Sequence, residues 1–342
     1  MNTLGNKFKV SIFGESHGVC AGVTVDGVLP GIPLTEADFL PDLERRRAGA
    51  PGTTPRTEKD VPEILSGVYE GHTTGAPVTL IFRNENTCSA DYEQFRKHPR
   101  PGHADFTANL KYGGFNDLRG GGPFSGRMTL GIVAAGVIAK RMLHFARFRA
   151  ELTEIGGLAD SEAWPEALKA AESEGDSLGG VVSCSVEGLP IGLGEPFWNS
   201  VESVISHAVF AIPGVRGIEF GDGFAAARMF GSEHIDLFPE HTCCHGDGGC
   251  GEHEEGHACC GGGEGHGCCG RHRHIQPPLT NHCGGINGGI TNGNPVVFRV
   301  AFKPAASIAK AGIPGRHDVC FALRTPVIVE AAAAIALTDL AM

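Results

Sequence analysis

The sequence has no apolar run long enough to span a bilayer and no apolar signal core at its amino end. The stretch from Met128 to Ala139 stops at Lys140, well short of the roughly 20 residues that a membrane span needs. Positive charge is also in deficit, because 28 Lys and Arg oppose 39 Asp and Glu, for a formal net charge of -11. This balance argues against a general polyanion binder, whose affinity comes from counterion release. We therefore expect a soluble cytoplasmic protein that binds neither membranes nor nucleic acid.

The common nucleotide-binding and hydrolase motifs are missing too. The sequence contains no Walker A motif, no G-x-S-x-G elbow and no H-E-x-x-H pair. No G-x-G-x-x-G turn follows a predicted strand and opens a helix, as a dinucleotide-binding fold requires. These absences leave the usual nucleotide-dependent and hydrolytic functions with little support.

Glycine and cysteine, in contrast, are abundant, with 51 Gly and 12 Cys among the 342 residues. Seven cysteines lie in one segment, so they do not form a disulfide framework for the whole chain: Cys243, Cys244, Cys250, Cys259, Cys260, Cys268 and Cys269. The surrounding stretch, about 233–274, has no apolar periodicity and is predicted to be an inserted surface loop. Its cysteines and histidines suit zinc, nickel or copper(I), but their spacing fits no defined site. A metal site and a loop with incidental metal affinity both remain open.

The rest of the chain is 41% hydrophobic overall and alternates predicted strands with predicted helices, which indicates an α/β or α+β chain with one core. Apolar runs bounded by Gly and Pro predict strands at Phe8–Phe13, Pro77–Phe82, Val181–Val186 and Val296–Phe302. Helical periodicity predicts helices at Thr35–Arg47, Met128–Phe145, Val201–Phe210 and Pro326–Leu340. Pro41 is expected to kink the first helix, and the second is apolar on all sides and therefore buried.

Charge is unevenly distributed along the chain. Nine bases and only two acids fall between Arg96 and Arg147, whereas Glu151 to Asp176 holds eight acids and one base. A basic, glycine-rich third within an acidic protein favours binding of an anionic small molecule there, although a solvated basic face is the alternative.

Five glycine-rich clusters carry the polar residues that suit such a ligand: 14–18, 100–105, 120–127, 281–293 and 315–318. Glycine lets a backbone approach a phosphate closely, although each cluster alone is also typical of a tight turn. His17 and His103 lie in two of these loops and are candidate general acids. Arg45, Arg46 and Arg47 end a predicted helix, and at helical spacing only one or two of them can reach one ligand.

Taken in order, these clusters resemble the signatures of the chorismate synthase family. The matching segments are Gly14-Glu15-Ser16-His17-Gly18, Arg100-Pro101-Gly102-His103-Ala104-Asp105, Arg119-Gly120-Gly121-Gly122 with Ser125-Gly126-Arg127, and Gly288-Gly289-Ile290-Thr291-Asn292-Gly293 with Ala301-Phe302-Lys303-Pro304. The resemblance covers nearly all of residues 1–342 as one domain, interrupted by the insertion at about 239–275.

The resemblance implies an α+β fold, a single-domain β-α-β sandwich with internal pseudo-symmetry that assembles as a homotetramer. It implies a lyase that converts 5-enolpyruvylshikimate 3-phosphate to chorismate and phosphate by 1,4-anti elimination and requires reduced FMN, with NADPH as a candidate reductant. This activity belongs to the shikimate pathway of aromatic amino acid biosynthesis. The alternative is a metal-sequestering or metal-sensing protein on an inactive scaffold of this type, because the segment between Ser307 and Arg316 is shorter than the family's usual hairpin.

Residue roles also follow from the resemblance, position by position. His17 matches the histidine that protonates the departing phosphate, His103 the histidine beside the flavin, and Asp318 a carboxylate involved in moving the substrate proton. The residues that match substrate-binding positions are Arg46, Ser125 and Arg127. Those that match cofactor-binding positions are Pro123, Phe124, Ser125, Gly288, Lys303, Pro304, Ala305, Ala306, Ser307 and Arg316. Pro123, Phe124, Ala305 and Ala306 depart from the residue types that are usual in the family.

Overall fold

A computed structural model describes residues 2–54, 58–86, 90–239, 276–313 and 317–342. In chain order its strands are β1 (Thr3–Leu4), β2 (Lys9–Gly14), β3 (Cys20–Asp26), β4 (Glu63–Ser66), β5 (Val68–Tyr69), β6 (His72–Thr73), β7 (Val78–Arg83), β8 (Arg147–Ile155), β9 (Gly180–Glu187), β10 (Val215–Phe220), β11 (Ile286–Asn287), β12 (Ile290–Thr291) and β13 (Val296–Phe302). The α-helices are α1 (Leu40–Arg46), α2 (Asp105–Lys111), α3 (Thr129–Met142), α4 (Trp164–Ser173), α5 (Val201–Phe210), α6 (Gly231–His234) and α7 (Pro326–Ala341).

Two antiparallel sheets enclose two long helices. The first sheet has the strand order β1-β2-β3-β7-β4 and the second β10-β13-β9-β8. Helix α3 packs on β2 and β3, α7 packs on β8 and β9, and the two helices pack on each other. A Cβ added at Gly136 of α3 would lie 2.3 Å from Cβ of Ala331 in α7, so glycine is needed at this close approach. The layers therefore form a β-α-β sandwich of the α+β class, with one continuous apolar core.

Most of the predicted elements are confirmed to within a few residues. The helix predicted at Thr35–Arg47 is divided, with a 3-10 turn at Glu36–Phe39 followed by α1. Pro41 sits in the first turn of α1, where its missing N–H needs no partner. The capping carboxylate of Asp38 accepts a hydrogen bond of 2.7 Å from the Thr35 backbone N–H. As predicted, the first eleven residues of α3 are all buried.

Several elements were not predicted, among them β3, β8, β10, α2 and α4. Strand β8 alternates exposed and less exposed side chains from Arg147 to Leu152, ahead of a register shift between Leu152 and Glu154, and this period of two was present in the sequence. Within the described ranges, no helix combines the length and apolar character that a membrane crossing would need.

The segment rich in cysteine and histidine falls almost entirely in residues 240–275, which lie outside the described residues. The proposed metal ligands Cys243, Cys244, Cys250, Cys259, Cys260, Cys268 and Cys269 are all among them. Elsewhere, in the part of the chain that the structure describes, no group of three or more His, Cys, Asp or Glu side chains is arranged to hold a metal ion.

Candidate active site

Loops from both halves of the chain meet around a cavity of about 330 Å³. This volume lies within the range of small-molecule sites. The lining residues come from the end of α1 and the chain between it and β4, from the segment around Tyr92, from the loop before α2, from the glycine-rich turn before α3, from the loop between α5 and β10, from the loop after β13 and from the segment before α7. They are Arg46, Arg47, Ala48, Thr54, Glu58, Asp60, Tyr92, Gly102, His103, Gly120, Ser125, Gly126, Arg127, Pro213, Gly214, Lys303, Ala305, Ala306, Ser307, His317, Asp318, Phe321 and Arg324. Five of these side chains are Arg or Lys and three are Asp or Glu, so the cavity favours an anion.

The centre of this charge is a buried pair of arginines that share one carboxylate. Arg127 donates to Asp60 Oδ1 at 2.8 Å, and Arg46 lies 3.4 Å from Asp60 Oδ2. The Nε of Arg46 donates to the Thr129 hydroxyl at 2.8 Å, which fixes the plane of the guanidinium. Burial lowers the pKa of Arg46, and the nearby positive charges of Arg324 and Arg127 lower it further. Asp60 and Asp318 together supply two negative charges to the three arginines, so one positive charge is left for an anionic ligand to offset.

Asp318 lines the same cavity and is held by two hydrogen bonds. Its Oδ2 accepts a hydrogen bond of 2.7 Å from Arg324, and its Oδ1 accepts one of 3.0 Å from the Thr54 backbone N–H. Both carboxylate oxygens are thus oriented by partners on different segments of the chain. The arrangement keeps a carboxylate next to the arginine cluster in one defined position.

His103 belongs to a hydrogen-bonded triad with Arg100 and Asp105 at the start of α2. Its Nδ1 lies 2.6 Å from Asp105 Oδ1, and Asp105 also accepts two hydrogen bonds from the Arg100 guanidinium, of 2.7 and 2.8 Å. Burial alone would raise the pKa of Asp105, but the hydrogen bonds from Arg100 and His103 outweigh it and lower that pKa below its ordinary range. The ionised Asp105 accepts the Nδ1 proton of His103, which leaves Nε2 as the nitrogen for exchange with a ligand.

His17 lies beside the cavity and is almost fully buried, with 7% of its surface exposed. It is not itself a lining residue, but it contacts two residues that are. Its ring meets Tyr92 edge to face at 5.1 Å between centroids, and a Cβ added at Gly120 would lie 2.6 Å from its Nε2. The neighbouring Ser16 is completely buried, and its hydroxyl has no hydrogen-bond partner.

A run of three glycines connects the two histidines. Gly120, Gly121 and Gly122 have φ of +59°, +82° and +52°, values that side-chain-bearing residues rarely adopt. A Cβ at Gly121 would lie 3.4 Å from His103, as one at Gly120 would press on His17. The absence of side chains in this turn therefore keeps both imidazoles against the same short backbone segment.

The loop after β13 closes the remaining side. Lys303 donates to the Gly102 carbonyl at 3.0 Å, which ties this loop to the His103 loop. Burial and the charge of Arg216 lower the pKa of Lys303. Small side chains follow at Ala305 and Ala306, so backbone and methyl groups form this part of the wall.

The structure brings most of the predicted site residues together, and places some of them elsewhere. Arg46, His103, Ser125, Arg127, Lys303, Ala305, Ala306, Ser307 and Asp318 line the cavity. Four predicted cofactor residues do not line it: Pro123, Phe124, Pro304 and Gly288. The positive φ angles of the glycine run turn the chain so that Pro123 lines a second, more apolar cavity, and Gly288 lies in the turn between β11 and β12. Arg316 is outside the described residues.

The three consecutive arginines separate as helical spacing requires. Arg46 and Arg47 line the cavity, whereas Arg45 makes a bidentate contact with Glu330 of α7. The sequence reasoning missed Asp60 and Arg324. Arg324 lies two residues before Pro326, the predicted start of α7, so its place at the end of a helix could have marked it as a candidate site residue. Asp60 belongs to no motif, and no pattern in the sequence pointed to it.

Comparisons with known proteins identify the family of this chain. The family model described as chorismate synthase matches residues 8–342. The chain is 53% identical to a chorismate synthase of Chitinophaga pinensis, over 99% of this chain and 96% of that protein, and 42% identical to one of Aeropyrum pernix, over 99% and 92%. A solved structure titled as the crystal structure of chorismate synthase superposes with a TM-score of 0.71 at 28% identity, covering 98% of this chain and 92% of the other. The chain belongs to the chorismate synthase family, the lyases that form chorismate in the shikimate pathway.

Proposed function

We propose that the cavity binds 5-enolpyruvylshikimate 3-phosphate and eliminates its phosphate to give chorismate. In this 1,4-anti elimination the C–O bond to phosphate breaks and a ring proton is lost, so the ring gains a second double bond. The observation that carries the proposal is the arginine pair of Arg46 and Arg127, which is buried and shares the single carboxylate of Asp60. A phosphate dianion supplies the charge that this pair lacks.

The donor set also suits reduced FMN, a second phosphorylated anion. Lys303, Ser307 and the His103 imidazole lie on one side of the cavity, and the small side chains of Ala305 and Ala306 leave room for a flat ring system. When bound, reduced FMN supplies electron density for the departure of phosphate, with no net redox change. We assign the residues of the 303–307 loop to this cofactor and keep NADPH as its candidate reductant.

His17 acts on the leaving group in this proposal. Protonated His17 donates its proton to the departing phosphate, while Arg46, Arg127 and Ser125 hold the phosphate oxygens. Because Gly120 has no side chain, the Nε2 edge of His17 packs closely against the glycine turn on which the phosphate would lie. The burial of His17 excludes water from the proton transfer.

His103 and Asp318 act at the other end of the reaction. The Nδ1 of His103 is committed to Asp105, so its Nε2 can hold a proton next to the bound cofactor and favour the anionic form of that cofactor. Asp318 accepts hydrogen bonds from Arg324 and from the Thr54 N–H, which hold its carboxylate in one position. In this position the carboxylate helps remove the ring proton.

An anaerobic assay tests this function. Dithionite-reduced FMN and 5-enolpyruvylshikimate 3-phosphate should give equal amounts of phosphate and chorismate, and the same reaction with oxidised FMN should give none. A repeat with NADPH and oxidised FMN determines whether the protein reduces its own flavin. Absence of phosphate release with reduced FMN would refute the proposal.

His17→Ala tests the assigned acid, with His144→Ala as a matched control because His144 is an exposed histidine outside the cavity. Loss of a general acid typically lowers kcat by about 10²- to 10⁴-fold, with a smaller change in KM. An unchanged kcat in His17→Ala would rule out its role, whereas the control should match the wild type.

The broader assignments complete the proposal. We infer one domain over residues 1–342 with the insertion at about 239–275, a homotetrameric assembly and a cytoplasmic location. The metal-sequestering or metal-sensing alternative gains no support from the comparisons, since they identify the enzyme family. Zinc binding by the cysteines of the insertion stays a prediction, and titration of the reduced protein by native mass spectrometry would test it.

A further inference from the structure

Asn84 joins the His17 turn to the arginine cluster through one side chain. It is the first residue after β7 and is partly buried. Its Nδ2 donates to the carbonyls of Glu15 and Gly18, both at 2.9 Å, and its Oδ1 accepts from Arg127 Nε at 2.5 Å. A carboxamide can make this set of bonds because it donates twice at one end and accepts at the other.

The two carbonyls that Asn84 holds are the ends of the four-residue turn that carries His17. That turn is closed by a hydrogen bond of 3.1 Å from the Gly18 N–H to the Glu15 carbonyl. A second bond, of 3.2 Å, runs from the Ser16 N–H to the Gly122 carbonyl, and so attaches the turn to the glycine run. Asn84 therefore fixes both ends of the turn relative to Arg127.

The neutral amide also suits the charge of the site. Arg127 already shares Asp60 with Arg46, and its NH2 donates to the Arg83 carbonyl at 3.3 Å. An uncharged acceptor at Nε orients the guanidinium without cancelling its positive charge, whereas a carboxylate there would neutralise it.

We propose that Asn84 is a positioning residue, which holds His17 at the distance from Arg127 at which both groups reach the same phosphate. The inference rests on the proposed role of His17 as the acid. It adds a residue that does not line the cavity and need not touch the substrate. Its effect on the reaction is exerted through the position of the His17 turn.

Two variants test this role: Asn84→Asp keeps an oxygen for Arg127 and removes both donors to the turn but adds a negative charge beside Arg127, whereas Asn84→Ala adds no charge. We expect kcat to fall by about 100-fold, the loss typical of a displacement of about 1 Å at a reacting group. Asn84→Ala removes all three side-chain hydrogen bonds, so its kcat should fall at least as far. It also provides the test if Asn84→Asp does not fold. Because the added charge beside Arg127 can itself lower kcat in Asn84→Asp, the uncharged variant decides, and a wild-type kcat in Asn84→Ala would overturn the proposal.

The matched control is Asn294→Asp, because Asn294 makes the same pair of bonds elsewhere. Its Nδ2 donates to the carbonyls of Pro278 and Thr280 at 3.0 and 2.8 Å. The decrease in Tm caused by this control should be comparable to the decrease caused by Asn84→Asp. Its kcat should stay within about twofold of the wild type. A 100-fold loss of kcat in the control would show that instability alone accounts for the effect.

A double-mutant cycle with His17→Ala separates positioning from a general structural role. If Asn84 acts through His17, then adding Asn84→Ala, which introduces no charge beside Arg127, to His17→Ala lowers kcat by less than about threefold. A further 100-fold loss in that background would overturn the inference. The outcomes also distinguish the two proposals, because an unchanged kcat in His17→Ala alone refutes the role of His17, whereas an unchanged kcat in Asn84→Ala refutes only the positioning role.

Discussion

Replacement of Glu330 by Gln probes an ionic network built on a buried carboxylate. Glu330 lies in the second turn of α7 with 2% of its surface exposed. Its carboxylate accepts two hydrogen bonds from Arg45, of 2.8 and 2.7 Å, one from Lys140 at 2.8 Å and one from the Ala150 backbone N–H at 2.9 Å. It thereby ties α1, α3 and β8 to the central helix.

The expected cost follows from the partners that lose their counter-charge. Glutamine keeps the shape of the side chain but places an amide donor against at least one cationic donor. Breaking a buried ion pair costs about 3–5 kcal/mol. Because Lys140 and Arg45 both keep contacts with Asp42, of 2.8 and 3.3 Å, we expect the lower end of that range, about 3 kcal/mol. For a chain of 342 residues that is a fall in Tm of about 4 °C.

Urea denaturation followed by circular dichroism measures this difference, with Glu174→Gln as the matched control. Glu174 also pairs with a lysine, Lys310, at 2.9 Å, but both side chains are largely exposed, so the control should change stability by less than about 1 kcal/mol. A difference below about 1 kcal/mol between Glu330→Gln and the wild type would refute the reasoning.

The pH dependence of Glu330→Gln gives an independent check. Burial alone would raise the pKa of Glu330, but its bonds with Arg45 and Lys140 lower it below its ordinary value. A lowered pKa in the folded state contributes stability above the unfolded-state pKa of about 4.3, and this contribution is lost as the pH falls further. The difference between variant and wild type should therefore be constant from pH 8 to about pH 5 and then shrink.

Three further predictions concern the active site. Gly120→Ala should displace His17, since the new Cβ would lie 2.4 Å from its ring, and should lower kcat by about 100-fold, whereas Gly231→Ala, with open space around it, should not. Asp60→Asn removes the carboxylate between the two arginines, so inorganic phosphate should raise Tm more in the variant than in the wild type, as differential scanning fluorimetry would show; an equal rise would contradict the charge argument. Asp105→Asn should destabilise the protein equally from pH 8 to about pH 5 and less in stronger acid, since the pKa of Asp105 is lowered; a stability loss that grows below pH 4 in urea titrations would contradict this sign.

The sequence allowed prediction of the elements whose periodicity is strong and whose ends carry Pro, Gly or a capping residue. Helix α5 and strand β13 have the predicted limits, and α7 differs from its prediction by one residue. Strand β3 was missed because it is central and buried, so neither face alternates clearly, and the short α2 has an exposed face that carries Phe106 and Leu110. Burial by distant partners, rather than local pattern, decides such segments.

The candidate site was predictable as a set of loops but not as a charge arrangement. Of the nine bases between residues 96 and 147, only Arg127 lines the cavity, and Arg100 lies behind it against Asp105. Others are engaged elsewhere, as Lys140 is with Glu330. The remaining cations come from segments before residue 50 and after residue 300, and a count along the chain does not bring such distant segments together.

The insertion is compatible with this fold because the segments on either side of it are joined directly. Asp236 accepts hydrogen bonds from the Thr280 hydroxyl at 2.7 Å and from the backbone N–H groups of His282 and Cys283 at 2.8 and 2.9 Å. Burial alone would raise the pKa of Asp236, but these bonds lower it to about 2, so the carboxylate stays charged at neutral pH. The Leu279 N–H also donates to a carbonyl across the two segments at 2.8 Å. These contacts join the two segments that flank residues 240–275. The length and composition of those residues can therefore change with only the small entropic cost of a longer loop, and the arginine cluster is unaffected.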